Sequence, residues 1–91
     1  MALGFYFHPE SFSKEQYDSV IKKLAEAGAG SPAGRSYHCA FTVGGSLHVW
    51  DVWDSQEAFD EFGKTLMPIL QAEGVDPGQP DVSPIHNVIT G

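Results

Sequence analysis

The chain has 91 residues, 42% of them hydrophobic and 12% aromatic, which is enough for one small globular domain spanning residues 1–91. The hydrophobic fraction excludes intrinsic disorder, and no apolar run reaches the roughly 18 residues of a membrane span. Twelve acidic and five basic side chains give a net charge of −7. Nucleic acids and anionic membranes are therefore not expected as partners.

Cysteine content and size set further limits. Cys39 is the single cysteine, so neither an internal disulfide nor a multi-cysteine zinc site is expected. The N-terminal residues lack a basic segment and a long apolar core, so nothing indicates secretion and we expect a cytoplasmic protein. A domain of this size buries only about 60–65% of its unfolded surface. Its eleven aromatic residues are many for so small a core, which favours a homodimer.

The first half of the chain predicts a strand and a helix. Residues 2–8 are short and aromatic and end before Pro9, as is typical of a strand. Ser13 and Gln16 match a capping box, the pattern of a helix N-terminus. Gly28 suits the position after the helix C-cap. Between them, apolar side chains recur at the spacing of one helix face, at Tyr17, Val20, Ile21 and Leu24.

A β-hairpin follows. Two β-forming runs, Arg35–Val43 and Ser46–Trp53, flank Gly44-Gly45, which predicts a two-residue turn of type I′ or II′. A three-residue turn is the alternative, and it would shift the register by one and bring His38 beside His48 and Trp50.

The remainder predicts a helix and a last strand. Asp54 and Glu57 match a second capping box, and a helical stripe continues to Gly74. Pro68 lies inside that stripe and predicts a kink or a break near residues 65–66. Three prolines indicate irregular chain over residues 75–84, and residues 85–90 are expected to form the final strand.

The predicted order is β-α-β-β-α-β. This is the ferredoxin-like α+β arrangement, in which a four-stranded antiparallel sheet carries both helices on one face. The two-residue turn sets which residue pairs share each face of the hairpin. One face is the more apolar, and we expect it to pack against the helices. Its pairs are Phe41–His48, Cys39–Trp50 and Tyr37–Val52. The second face mixes polar and apolar groups and is expected to line a ligand cavity; its pairs are His38–Asp51, Ala40–Val49, Thr42–Leu47 and Ser36–Trp53.

His38 opposite Asp51 is the most specific constellation in the sequence. A carboxylate beside an imidazole fixes its tautomer and makes it a competent general base. The alternative is a hydrogen-bonded pair that only stabilises a dimer interface. We therefore predict His38 and Asp51 as catalytic residues.

Other side chains are candidates for substrate binding. They are Tyr6, Thr42, Trp53 and His86, of which Trp53 offers a flat wall to a planar ligand. His8 and His48 are more typical of a strand end and an exposed turn. No histidine spacing indicates a metal site, and no nucleotide or phosphate motif is present, so we expect no cofactor. The expected ligand is a small apolar or aromatic molecule.

The segment LHVWDVWDSQEAFDEFGKTLMPIL, in which Asp51-x-Trp53 leads into Ser55-x-Glu57-Ala58-Phe59, resembles the dimeric α/β-barrel superfamily. It is most similar to small proteins of the antibiotic-biosynthesis-monooxygenase type and to their uncharacterised bacterial relatives. The resemblance implies that two ferredoxin-like subunits pack their open sheet faces together. Some members of this superfamily are cofactor-free oxygenases that act on polyketide-like aromatics, and others are isomerases, haem-degrading enzymes or proteins of no known activity, so the resemblance implies one of these roles.

The second helix departs from this family pattern, because it carries no histidine where many monooxygenase-type members and the haem-degrading members have one. Two hypotheses follow. In the first, the protein is a homodimeric, cofactor-independent monooxygenase or isomerase in which His38, oriented by Asp51, removes a proton from an aromatic or polyketide-like compound. In the second, it is a non-catalytic ligand-binding or structural dimeric module.

Overall fold

The structure, a computed structural model, describes residues 2–89 and 91. It has the predicted βαββαβ order, and the single four-stranded sheet is antiparallel with the strand order β2-β3-β1-β4. The ferredoxin-like prediction is therefore confirmed. The elements are β1 (Leu3–Phe7), α1 (Lys14–Glu26), β2 (Arg35–Val43), β3 (Ser46–Trp53), α2 (Gln56–Ala72) and β4 (Asp81–Pro84).

Helix α1 begins and ends where the capping residues predict. The Ser13 side chain accepts a hydrogen bond from the backbone of Gln16, and the Gln16 side chain accepts one from the backbone of Ser13. These two bonds satisfy amide groups that would otherwise lack partners in the first turn. After the C-cap residue Ala27, Gly28 takes a φ of 78°, which a residue without a Cβ adopts at no steric cost.

The β2–β3 hairpin has the two-residue turn. Gly44 and Gly45 have φ values of 56° and 88°, as a type I′ turn requires. This turn sets the predicted register, and His38 lies opposite Asp51. The predicted Ser36–Trp53 pair is wrong, because a bulge between Arg35 and Tyr37 brings Arg35 opposite Trp53 instead.

The predicted assignment of the two sheet faces is also wrong. Leu47, Val49 and Trp53, which were predicted to line the second face, belong to the buried core together with residues of both helices. Tyr37 and Phe41, predicted to face the helices, are exposed on the other side of the sheet. Counting along a strand tells which side chains share a face, but both faces here are apolar enough to pack against helices.

Helix α2 differs from its prediction at two points. Its N-cap is Ser55, one residue after the predicted Asp54, and the Ser55 hydroxyl accepts a hydrogen bond from the backbone of Ala58. The helix continues through Pro68 to Ala72, so the predicted break does not occur. In the described part of the chain, no helix combines the length and the apolarity needed to cross a membrane.

The last strand lies earlier than predicted. β4 comprises Asp81–Pro84, inside the segment expected to be irregular, and pairs with β1. Residues 85–89 follow it outside any strand, and Thr90 lies outside the described residues. Pro84 is tolerated because β4 is an edge strand and has only one neighbour to bond.

Candidate functional site

A cavity of about 80 Å³ lies between the sheet and the two helices. Since one water needs roughly 10–15 Å³ of such volume, the cavity has space for about five to eight water-sized groups. Most of its wall is apolar and comes from the core stripes of both helices, including Val20, Leu24, Phe59, Phe62, Leu66 and Leu70. The polar side chains at its wall are Tyr17, Arg35, His38 and Asp51.

His38 and Asp51 form a hydrogen-bonded contact at this wall. Nδ1 of His38 lies 2.5 Å from Oδ1 of Asp51, and their side chains are 21% and 6% exposed. The second carboxylate oxygen of Asp51 accepts a hydrogen bond of 3.3 Å from the indole nitrogen of Trp53. Both oxygens of the buried carboxylate are thereby satisfied, as burial of a charged group requires.

Tyr17 extends this network into the cavity. Its hydroxyl lies 2.7 Å from Nε2 of His38, and the two rings are nearly parallel. Burial raises the pKa of Tyr17 above its usual value, and the nearby charge of Asp51 raises it further. The phenol therefore keeps its proton at neutral pH and acts as a hydrogen-bond donor.

The proton positions follow from these partners. A carboxylate can only accept hydrogen bonds, so the His38 proton is assigned to Nδ1, which faces Asp51. The lone pair of Nε2 then accepts a hydrogen bond from the Tyr17 hydroxyl. The arrangement presents a basic nitrogen, oriented by a buried carboxylate, at the wall of an apolar cavity. Such a group can remove a proton from a bound molecule.

The structure brings together only part of the predicted site. His38 and Asp51 meet at the cavity. Trp53, predicted to form a wall for the ligand, is fully buried and bonded to Asp51, and it is not among the residues that line the cavity. Thr42 is exposed near the hairpin turn, away from the cavity. His86 is exposed in the segment that follows β4.

Tyr6 lies on the other face of the sheet. It pairs with Trp50 in the neighbouring strand, and its hydroxyl lies 2.7 Å from Nδ1 of His48. Nearby, Nε2 of His8 lies 3.1 Å from Oδ2 of Asp81 at the sheet edge. Within the described residues, no three histidine, cysteine or acidic side chains gather as a metal site would require.

Two cavity residues were missed at the sequence level. Tyr17 was assigned only to the apolar stripe of α1, although a buried tyrosine usually needs a partner for its hydroxyl. For Arg35, the sequence predicts only a position at the start of a strand. Its position depends on the bulge in β2, and the residue pattern does not predict this bulge.

Comparison with known proteins identifies the fold of this chain. No family model and no curated protein matches this chain. Solved structures do match. A structural genomics protein, YjcS, has 12% identity, covers 94% of this chain and 100% of its own length, and superposes with a TM-score of 0.66.

Two further structures have the names that the sequence resemblance leads one to expect. SnoaB of Streptomyces nogalater, named a cofactor-independent oxygenase, has 14% identity, coverage of 99% and 96%, and a TM-score of 0.61. A candidate antibiotic biosynthesis monooxygenase of Chloroflexus aurantiacus has 17% identity, coverage of 99% and 97%, and a TM-score of 0.59. This chain has their fold. At such identities the likeness extends to the backbone arrangement and not to the activity.

Proposed function

We propose that the protein binds a small aromatic or otherwise apolar carbonyl compound in the cavity and removes a proton from it with His38. The observation that carries this proposal is the continuous Tyr17–His38–Asp51 network at the wall of an apolar cavity. SnoaB, a protein of the same fold, is named a cofactor-independent oxygenase, and this name supports chemistry that needs no cofactor.

The proposed step is an enolisation. The Tyr17 hydroxyl donates its hydrogen bond to the substrate carbonyl instead of to Nε2 of His38, and Nε2 then takes a proton from the carbon next to the carbonyl. The electron pair of that C–H bond moves onto the carbonyl oxygen, and the phenol of Tyr17 donates a hydrogen bond to the resulting oxyanion. Asp51 stabilises the imidazolium that forms. Return of the proton to another carbon completes an isomerisation, whereas reaction of the enolate with dioxygen as the oxidant begins an oxygenation.

The volume of the cavity limits the size of the substrate. Binding sites for drug-sized ligands occupy about 300–1,000 Å³, well above the roughly 80 Å³ found here. A single aromatic ring with one short substituent matches this space. A polycyclic polyketide requires α1 and α2 to move apart, so we propose a monocyclic compound as the substrate class.

Exchange of benzylic protons with solvent tests the proton transfer. Phenylacetone is a suitable probe, because its CH₂ group lies between one ring and a carbonyl. In D₂O, the wild-type protein is expected to accelerate deuterium incorporation, measured by ¹H NMR, whereas His38→Gln is not. His48→Gln is the matched control, because His48 also contacts a tyrosine hydroxyl at 2.7 Å but lies on the other sheet face.

The second candidate function, a non-catalytic binding module, predicts a different outcome of the same assay. Phenylacetone would then bind without faster exchange, and the wild-type and His38→Gln proteins would behave alike. That result would contradict the general-base role while leaving the cavity as a ligand site.

We further propose that the protein forms a homodimer through the open face of the sheet. This face exposes a row of large apolar side chains on β2, with Tyr37 at 43%, Phe41 at 39% and Val43 at 45% exposure. Contiguous exposed apolar surface is typical of an interaction site. Light scattering after gel filtration is expected to give twice the 9.9 kDa chain mass, and Phe41→Asp is expected to give the monomer. A monomeric wild-type protein would contradict this proposal.

A further inference from the structure

The bulge in β2 places a cation at the cavity. In a regular strand, Arg35 would point to the same side as Tyr37, away from the helices, because successive side chains alternate. The bulge adds one residue between them, so Arg35 pairs with Trp53 and shares the helix-facing side with His38. Bulges recur beside active sites, where they re-aim a side chain. Here the result is an arginine at the wall of the cavity.

The Arg35 side chain is held in place but not neutralised. Its Nη2 donates a hydrogen bond of 3.2 Å to the carbonyl of Gly30, and its Cζ lies 5.9 Å from the centre of the Phe62 ring. Among the described residues, no carboxylate forms an ion pair with this guanidinium. A guanidinium has five N–H donors, so further donors are available to a ligand.

Arg35 is a positive charge in a chain that is otherwise strongly acidic. The chain has a net charge of −7, yet Arg35 is the one lysine or arginine at the cavity wall in the described structure. Asp51, the carboxylate of the same cavity, already has His38 and Trp53 as partners. The positive charge also reaches the proton-transfer network, because Arg35 lowers the pKa of Tyr17 and so offsets part of the increase that burial causes.

We propose that Arg35 binds the carboxylate of the ligand, so that the preferred ligands are small aromatic carboxylic acids. This inference rests on the proposed function of the cavity and names the substrate class. Arginine recognises a carboxylate through two parallel N–H···O bonds, which fix orientation as well as add affinity. The ring of the acid then lies against Phe62 and Leu66, and a ketone on the side chain of the acid supplies the acidic C–H from which His38 removes the proton.

Benzoate and benzamide test this preference, because they differ in charge and hardly in shape. Dissociation constants are measured by NMR titration of the ¹⁵N-labelled protein at neutral pH. Hydrogen bonds to charged groups contribute about 1.5–3 kcal/mol, so we expect benzoate to bind the wild-type protein at least about 10-fold more tightly than benzamide.

Two variants assign this preference to Arg35. Arg35→Gln is expected to weaken benzoate binding about 10-fold or more and to leave benzamide unchanged. Lys64→Gln lowers the net charge equally but lies on the exposed side of α2, paired with Glu61. It is expected to leave both affinities unchanged. Arg35→Met, which retains an unbranched stem against Phe62, replaces the glutamine variant if that variant does not fold.

The possible outcomes separate this inference from the function on which it rests. Equal binding of benzoate and benzamide would overturn the carboxylate preference and leave the cavity as a site for neutral aromatics. An equal loss of benzoate affinity in Lys64→Gln would attribute the preference to overall charge and would also overturn the role of Arg35. If neither compound binds in the cavity, both proposals fail.

Discussion

Nδ1 of His38 lies 2.5 Å from Oδ1 of Asp51, directly across the β2–β3 hairpin. The two residues are thus held by the backbone register of a tight turn rather than by a mobile loop. This placement fixes the orientation of the imidazole before any ligand arrives, as a functional site built on rigid elements requires.

Removing the charge of Asp51 is expected to destabilise the protein. Asp51→Asn cannot accept hydrogen bonds on both sides, so either His38 or Trp53 loses its buried partner. An unsatisfied buried group costs about 1–3 kcal/mol, and urea denaturation is expected to show a loss of that size. The exposed Asp54→Asn is the control and should stay within about 0.5 kcal/mol of the wild-type protein. Equal stability of the two variants would argue against a buried network.

The contribution of Tyr17 to stability is expected to decrease at alkaline pH. Tyr17→Phe removes its hydrogen bond to His38, and we expect it to lower the free energy of unfolding by about 0.5–1.5 kcal/mol at neutral pH. Because the pKa of Tyr17 is raised in the folded state, the unfolded chain loses this proton first as pH rises above 10.0. The advantage of wild type over variant should therefore be constant below that pH and shrink above it. A stability difference between wild type and Tyr17→Phe that increases above this pH would contradict the raised pKa of Tyr17.

The contribution of Glu73 to stability is expected to decrease at acid pH instead. Its carboxylate accepts hydrogen bonds from Lys23 and from the Ser19 hydroxyl on α1, and these partners lower the pKa of Glu73 below its usual 4.5. Wild type is expected to be more stable than Glu73→Gln above that pH and to lose the difference as pH falls below it. Denaturation at pH 7 and pH 3 measures this. Glu61→Gln, which breaks the exposed pair with Lys64, should have little effect at either pH.

Alanine substitutions at two glycines are expected to change the stability of the protein in opposite directions. A Cβ at Gly4 would lie 2.3 Å from Cη2 of Trp50 and 2.9 Å from Cδ1 of Ile85. Gly4→Ala is therefore expected to displace Trp50 and to cost about 1–3 kcal/mol, with a shift in tryptophan fluorescence. A Cβ at Gly63, inside α2, would have no neighbour within 4 Å. Gly63→Ala is expected to stabilise the protein by about 0.5–1 kcal/mol. A stabilising Gly4→Ala would contradict the described packing of Trp50.

The sequence predicted the elements of the fold because its local signals are strong. The capping residues of α1 and the Gly44-Gly45 turn each leave few alternatives, and the turn alone fixes His38 opposite Asp51. The last strand was misplaced because prolines argue against a strand except at a sheet edge, and the position of β4 in the sheet depends on its pairing with β1.

The site was predicted only in part, because two of its determinants are not local. Which sheet face meets the helices depends on how β1 pairs with β3, and Phe5 and Phe7 facing the helices decide it. The bulge that brings Arg35 into the cavity adds a residue that counting along the strand omits. Tyr17 could have been found, since a phenol in a buried stripe needs a partner.

NMR mapping of phenylacetone on the ¹⁵N-labelled protein tests most directly whether the cavity between the sheet and the helices is the functional site. We predict saturable shift changes in the backbone amides of His38, Phe62 and Leu66, and their loss in a Val20→Phe variant that fills the cavity. Changes confined to Tyr37 and the Trp50 indole on the open face, or no saturable change, would contradict the assignment of this cavity as the functional site.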